Sequence, residues 1–346
     1  DLAPHAEAAL AVPFTTPETG VCCLNVYYRL KDEDEFREAG HLLGFDQFVL
    51  REEKAAFTPG ESRSVSVRET ERSYTVEGET FRYVFNRLTG TFDSLVNDQI
   101  SFLEKPMEWN IWRAPTDNDR NIRREWERAG YDRSAPKVYE TSAEVTDDGV
   151  VLTAKLSLAA IYLQPCMKLT AVWTIRPDGR IAASVHGDRA DEFPFLPRFG
   201  LRLFLPRAFD AVEYFGYGPF ESYVDKRRAS MLGKYTAAVA DLHEDYLRPQ
   251  ENGSRYGCSH VALANPTGGC LEAVGDCFSF NASEYTEEEL TAKAHNYELT
   301  PCGSTVLCLD YKLSGIGSNS CGPQLLEQYR FDEKEFDFEI ELRLGK

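Results

Sequence analysis

Alternation dominates this chain. Phe336-Asp-Phe-Glu-Ile-Glu-Leu-Arg-Leu344 switches strictly between apolar and charged positions, and Gly149–Leu158 sets Val, Leu and Ala against polar partners. A period of two sends successive side chains to opposite faces, so both stretches predict strands with one buried face. Two further alternating runs, Lys168–Ile175 and Arg180–His186, flank Pro177-Asp178-Gly179, a strong turn signal. Arg82-Tyr-Val-Phe-Asn-Arg-Leu-Thr-Gly90 reads as a strand running into a turn. The chain is therefore expected to be all-β, a class in which many short strands share one core as sandwiches.

Two segments carry a helical period instead. In Asn121–Gly130, Ile122, Trp126 and Ala129 share a face, and Gly130 suits the helix end. In Thr286–His295, Thr286 and Glu289 form a capping box, with glutamates at the start and His295 at the end to complement the helix dipole. Thr58-Pro-Gly-Glu-Ser-Arg-Ser64 collects turn formers and polar residues, which places a boundary near residues 58–68. Before it lies a β unit too small for a full sandwich.

Charge narrows the choice of partner. The 346 residues carry a formal net charge of -18, which repels nucleic acid and anionic membranes and leaves a neutral sugar acceptable. The longest apolar stretches, such as Leu156–Leu163, are strand-sized, so no membrane span is expected. Nine cysteines (Cys22, Cys23, Cys166, Cys258, Cys270, Cys277, Cys302, Cys308 and Cys321) include no C-x-x-C pair. They are expected to be free thiols in a cytoplasmic protein. Asp1 at the start suggests a fragment or a processed product.

Candidate chemistry concentrates in Trp109-Asn-Ile-Trp-Arg-Ala-Pro-Thr-Asp-Asn-Asp-Arg-Asn121. Aromatic faces stack on sugar C–H surfaces, and short carboxylates and amides bind hydroxyls. The alternative is that the tryptophans are core and the Asx residues make turns and cap the next helix. Asp117, Asp119 and Asn121 open like an EF-hand, but Ile122 stands where Gly is needed and Arg128 where Glu is needed, so no metal site is expected. Gly216-Tyr-Gly-Pro-Phe-Glu221 lacks the third glycine of a dinucleotide loop, and Glu221, Asp225, Lys226 and Arg227 suggest an ion-pair cluster. The six histidines have no partnering pattern. Glycoside hydrolysis needs two carboxylates flanking the scissile bond. Asp117 and Asp119, two apart on one loop, are poorly placed for that, so no catalytic residue is expected here.

Several motifs in fixed order carry a family resemblance. Glu38-Ala-Gly-His41 with Phe45-Asp-Gln47, Phe85-Asn-Arg-Leu-Thr-Gly90 and Arg113-Ala-Pro-Thr-Asp-Asn-Asp119 come first. Gly216–Arg227, Pro249-Gln-Glu-Asn-Gly253, Phe280-Asn281 with Tyr285, and Gly315-Ile-Gly317 follow. Over residues 38–346 the chain resembles the carboxy-terminal third of lacZ-type β-galactosidases, glycoside hydrolase family 2. The resemblance implies a partial immunoglobulin-like β-sandwich over residues 1–60. It implies a large β-supersandwich, similar to galactose mutarotase, over residues 66–346. It places the catalytic glutamates, with magnesium and sodium, on an upstream β/α barrel, so that this fragment has no cofactor of its own and does not hydrolyse lactose alone. It further implies a mobile segment over Asp117–Arg124. Asp117, Asn118, Asp119, Arg120, Asn121 and Arg123 there, with Asn319 and Cys321 in the late Gly-rich loop, would meet the substrate. Asn121 stands where the family often has glycine, and Cys321 where a tryptophan stacks on the leaving-group sugar. The implied partners are a β-galactoside, the barrel of the same protein or of a large subunit, and further copies in a homo-oligomer. The competing readings are a stand-alone carbohydrate-binding module and a mutarotase-like aldose epimerase.

Overall fold

A computed structural model describes residues 2–58, 60 and 64–346. Most of the Pro59–Arg63 turn run, on which the expected boundary falls, thus lies outside the described residues, as does Asp1. The chain forms two compact units, Asp1–Lys54 and Ala55–Lys346. In the first, Cys22–Arg29 pairs antiparallel with Leu42–Arg51. Tyr27, Tyr28, Phe48 and Val49 on this ribbon remain exposed. Two strands alone do not enclose a core, and such a ribbon is marginal by itself.

The second unit is all-β apart from short helices. Its smaller sheet has five strands in sequence order, from Ser66–Glu69 to Ile100–Ser101. Its larger sheet has twelve strands and runs from the edge strand Met231–Ala238 to the edge strand Ala135–Thr146. The carboxy-terminal strand, Glu335–Gly345, lies between Ile181–Arg189 and Cys270–Ser283. Its alternation has the expected meaning: Phe336, Phe338, Ile340, Leu342 and Leu344 are buried while Glu335, Asp337 and Glu339 face out. The turn at Pro177–Gly179 also forms, with Gly179 at φ 85°.

Aromatic rings join the layers. Phe92 of the small sheet meets Trp173 edge-on at 5.1 Å, Trp173 lies 6.0 Å from Trp109, and Trp109 stacks on Phe199 at 6.2 Å. Such pairs contribute beyond the area they bury. The tryptophans of the Trp109–Asn121 segment are accordingly core: Trp109 and Trp112 are buried, and the indole N–H of Trp109 donates to the Thr89 carbonyl.

Helix α1 (Ile122–Ala129) buries Trp126, whose indole N–H donates to the Phe195 carbonyl at 2.8 Å. Gly130 ends it in the left-handed conformation, φ 78°. A Cβ there would lie 2.5 Å from the Ala160 Cβ, so glycine is needed on both counts. Helix α2 (Glu287–Ala292) starts as the capping box requires, the Thr286 hydroxyl accepting the Glu289 N–H at 3.2 Å. It stops at Ala292, short of His295. The Glu298 carboxylate accepts the N–H groups of Ala294 and His295 at 3.0 Å each, which offers those amides an alternative to another helical turn. His295 therefore does not serve the helix dipole. All nine cysteines are free thiols, and no helix among the described residues is long and apolar enough to cross a membrane.

Candidate functional site

Residues 113–119, Asp225, Gln250 and residues 314–320 come together along one rim of the larger unit. Its keystone is Arg113, which is fully buried. Its guanidinium grips Asp119 through two bonds, 3.2 and 2.8 Å, and donates to the carbonyls of Ser314 and Gly315. Asp119 also accepts the backbone N–H and the hydroxyl of Thr116, at 2.9 and 3.1 Å. Its two oxygens thus accept four bonds from the protein. This charge-assisted, bidentate geometry fixes the turn Asp117–Asp119 against the loop that begins at Ser314.

Asn118 makes the second clip. Its amide N–H donates to the Gly317 carbonyl at 2.8 Å, and its side-chain oxygen accepts the Ser320 N–H at 3.0 Å. Asp225 makes the third, accepting the N–H groups of Ile316 and Gly317 at 2.9 and 2.8 Å. A Cβ on Gly315 would fall 2.6 Å from the Asp225 carboxyl carbon, so that glycine permits the approach. Gln250 accepts the Asp117 N–H at 3.1 Å, and the Glu251 N–H donates to the Ala114 carbonyl at 2.9 Å.

The expected cluster at Glu221, Asp225, Lys226 and Arg227 forms only in part. Glu221 pairs with Lys226 and accepts the Gly253 N–H. Asp225 turns to the 316–317 amides, and Arg227 lies over the rings of Tyr217 and Tyr256, 5.2 and 4.9 Å from their centroids. Cation–π contact replaces the predicted ion pair.

The candidate sugar contacts divide between two depressions. Asn118, Asn121 and Asn319 line a cleft of about 390 Å³ with Phe193, Phe195 and Gln324. Asp117, Arg120 and Arg123 line a neighbouring depression, and Arg123 is held by Glu127 at 2.6 Å. Asp119 touches the first cleft but its carboxylate is fully engaged by Arg113 and Thr116. Cys321 is exposed and lines neither. Among the described residues, no three His, Cys, Asp or Glu side chains form a group that would hold a metal ion.

Beneath the rim lies an ionic cluster with no local sequence signature. Arg198, fully buried, binds Asp310 bidentately and reaches Glu251 and Glu287, each at 3.3 Å. Arg202 meets the other oxygen of Glu287 at 2.7 Å and also pairs with Glu108 and Glu288. Burial alone would raise the Glu287 pKa, but Arg202 and Arg198 hold it down at about 2. Glu251 is the weak member. Burial pushes its pKa up to about 7 against the pull of Arg198, and one of its oxygens has no hydrogen-bond partner.

A carboxyl whose pKa is raised on folding contributes stability that is present below its unfolded pKa and is lost as pH rises through the folded value. From Glu251 alone, stability should fall by about 1 kcal/mol between pH 6 and pH 8. Glu251→Gln should abolish that component of the slope, as read by urea unfolding at the two pH values. A slope identical in the variant would show that Glu251 is ionised throughout.

The profile of a family described as beta galactosidase small chain matches residues 77–342. A beta-galactosidase of Actinobacillus pleuropneumoniae is 40% identical over 346 residues, covering 99% of this chain and 34% of the relative. A beta-galactosidase of Staphylococcus xylosus is 34% identical, covering 91% of this chain and 32% of the relative. This chain therefore spans about a third of the length of the relatives it matches. Among solved structures, a galactose 1-epimerase of Lactobacillus acidophilus matches 82% of the chain at 10% identity with a TM-score of 0.45.

Proposed function

The chain belongs to the beta-galactosidase small-chain family, and from that premise we propose that it is the non-catalytic, site-completing part of a larger glycosidase acting on terminal β-D-galactosides. The observation that carries this reading is the rim itself. Three separate segments, 113–119, 225 and 314–320, are clipped together by Arg113, Asn118 and Asp225, while Asn121 and Asn319 face the adjoining cleft. Amides on a rigid scaffold, beside aromatic side chains, suit sugar hydroxyls.

In this reading the catalytic pair of carboxylates, spaced about 5–5.5 Å apart as in retaining glycosidases, belongs to an upstream barrel, together with the magnesium and sodium ions. Asp119 is committed to Arg113, so Asp117 and Asp119 do not form such a pair. Asp119 and Asn118 are positioning residues, since Asn118 is spent on Gly317 and Ser320, and the sugar contacts fall to Asn121 and Asn319, with Asp117, Arg120 and Arg123 on the neighbouring wall. The front of the 117–124 segment is anchored, so closure over the sugar would come from residues 120–124. The exposed ribbon of the first unit belongs to an immunoglobulin-like domain whose other strands lie upstream. The whole protein is a cytoplasmic homo-oligomer, a setting that suits nine free thiols.

The test uses the intact protein and Cys321. A thiol offers no stacking face, so Cys321→Trp should change the affinity for glucose, the leaving-group sugar, by roughly two- to twelve-fold, from about 0.5–1.5 kcal/mol of aromatic contact. Galactose affinity should stay nearly constant. Product inhibition by each sugar reads this out, and equal shifts for both would remove the 318–323 loop from the leaving-group side.

A further inference from the structure

Beside the sugar-facing cleft lies the second depression, of about 620 Å³, and its wall is cationic. Arg120, Arg123, Arg124 and Arg248 line it, with Asp117 and Glu127 as the only acids among the described lining residues. Four guanidinium groups against two carboxylates leave a local charge of +2 in a chain whose formal net charge is -18. Arg123 is engaged by Glu127. The side chains of Arg120, Arg124 and Arg248 have no hydrogen bond or ion pair among the described residues, the Arg248 bond to Gln250 being through its backbone carbonyl. Elsewhere the arginines near the rim are engaged: Arg113, Arg198 and Arg202 each hold carboxylates.

The position of these cations matters as much as their number. Arg120, Arg123 and Arg124 cluster at the start of α1, where the helix dipole already presents partial positive charge. Cations are disfavoured there and anions favoured. Glu125 is the one acid in the first turn of α1, and Glu127 is already matched by Arg123, so the cations outnumber the acids set against them. An anionic ligand in the depression would resolve it, because a guanidinium fork fits carboxylate and phosphate oxygens in pairs. Asp117 and Ser320, on the same wall, offer polar groups for hydroxyls.

We propose that Arg120, Arg124 and Arg248 form a binding site for an oxyanion, phosphate or carboxylate, carried on a sugar. The sugar half of this proposal rests on the reading of the rim given above, whereas the anion half rests on the arginines alone. Occupied, the site would let the protein accept or sense charged sugars beside the neutral galactoside.

Titration calorimetry on the chain at low ionic strength tests both halves, with inorganic phosphate, glucose 6-phosphate, glucuronate and glucose as the probes. Glucose 6-phosphate or glucuronate should bind at least about tenfold more tightly than glucose, and the advantage should shrink as salt rises. Tighter binding of glucose 6-phosphate identifies phosphate as the recognised group, and tighter binding of glucuronate identifies carboxylate. The double substitution Arg124→Gln/Arg248→Gln should weaken the anionic sugars about tenfold and leave the thermal midpoint unchanged, since neither side chain has a protein partner to lose. Arg228→Gln, at an exposed arginine outside the depression, should change nothing. If inorganic phosphate binds as tightly as glucose 6-phosphate and is weakened by the double substitution, the anion site stands and the sugar half falls. Equal binding of charged and neutral sugars, or anion binding untouched by the double substitution, overturns the proposal whatever becomes of the galactoside reading.

Discussion

Replacing Arg198 by methionine is expected to destabilise the larger unit by roughly 3–5 kcal/mol, the range for breaking a buried ion pair. The methionine chain fills most of the volume, so packing is a minor part of the loss. What remains is charge: Asp310 and Glu251 would lose their paired guanidinium, with Arg113 acting on Glu251 only through space, and Glu287 would keep Arg202. At about 2–4 °C per kcal/mol for a domain of this order of size, the thermal midpoint should fall by about ten degrees. The deficit should be smaller at pH 6 than at pH 8. Glu251 is largely protonated at the lower pH, and a neutral carboxyl tolerates the loss of its partner better than a carboxylate does. Urea unfolding at both pH values measures this. A change below about 1 kcal/mol at pH 8, the range of exposed ion pairs, would mean that the cluster is hydrated and weak.

Asp119→Ala should show the second large effect, about 3 kcal/mol, with a local signature. Arg113 has no exposure to solvent and would keep only the carbonyls of Ser314 and Gly315, while the Thr116 N–H and hydroxyl would lose their acceptor. The rim is held through these groups, so amide exchange over residues 314–320 should accelerate more than in the core strands. Asp119→Asn keeps an acceptor and should fall between the variant and the native chain. Asp117→Ala, two residues away and exposed, should stay within about 0.5 kcal/mol of native stability. Equal effects at 117 and 119 would remove the distinction between a residue that builds the site and one that faces the ligand.

The contrast between those two aspartates marks how far the sequence could be read. Strand identity was legible wherever it depends on neighbours along the chain. The alternation of Phe336–Leu344 states which face is buried, and Asn121–Gly130 announces both its apolar face and its end. Partners far apart were not legible. Arg198 meets Asp310 across 112 residues, and Asp225 meets the amides of Ile316 and Gly317 across more than 90. Alternation does not encode such pairings, nor the place of the carboxy-terminal strand between Ile181–Arg189 and Cys270–Ser283. The hydrogen-bond partners of the motif residues were not legible either. Asp119 looked like a ligand for sugar and is a ligand for Arg113. Asp225 looked like one member of an ion-pair cluster and is the cap of a loop. Glu298 ended α2 early because its carboxylate, beyond the helix, takes two amides.

The most direct test of the central claim is hydrolysis of a chromogenic β-galactoside, measured on this chain alone and on the chain mixed with the Actinobacillus pleuropneumoniae relative from which the matching third has been removed. The account predicts no turnover by either piece alone and turnover by the mixture, because on the proposed function the catalytic carboxylates and the rim that completes their pocket would lie on different pieces. Turnover by this chain alone, abolished by Asp117→Ala, would contradict it.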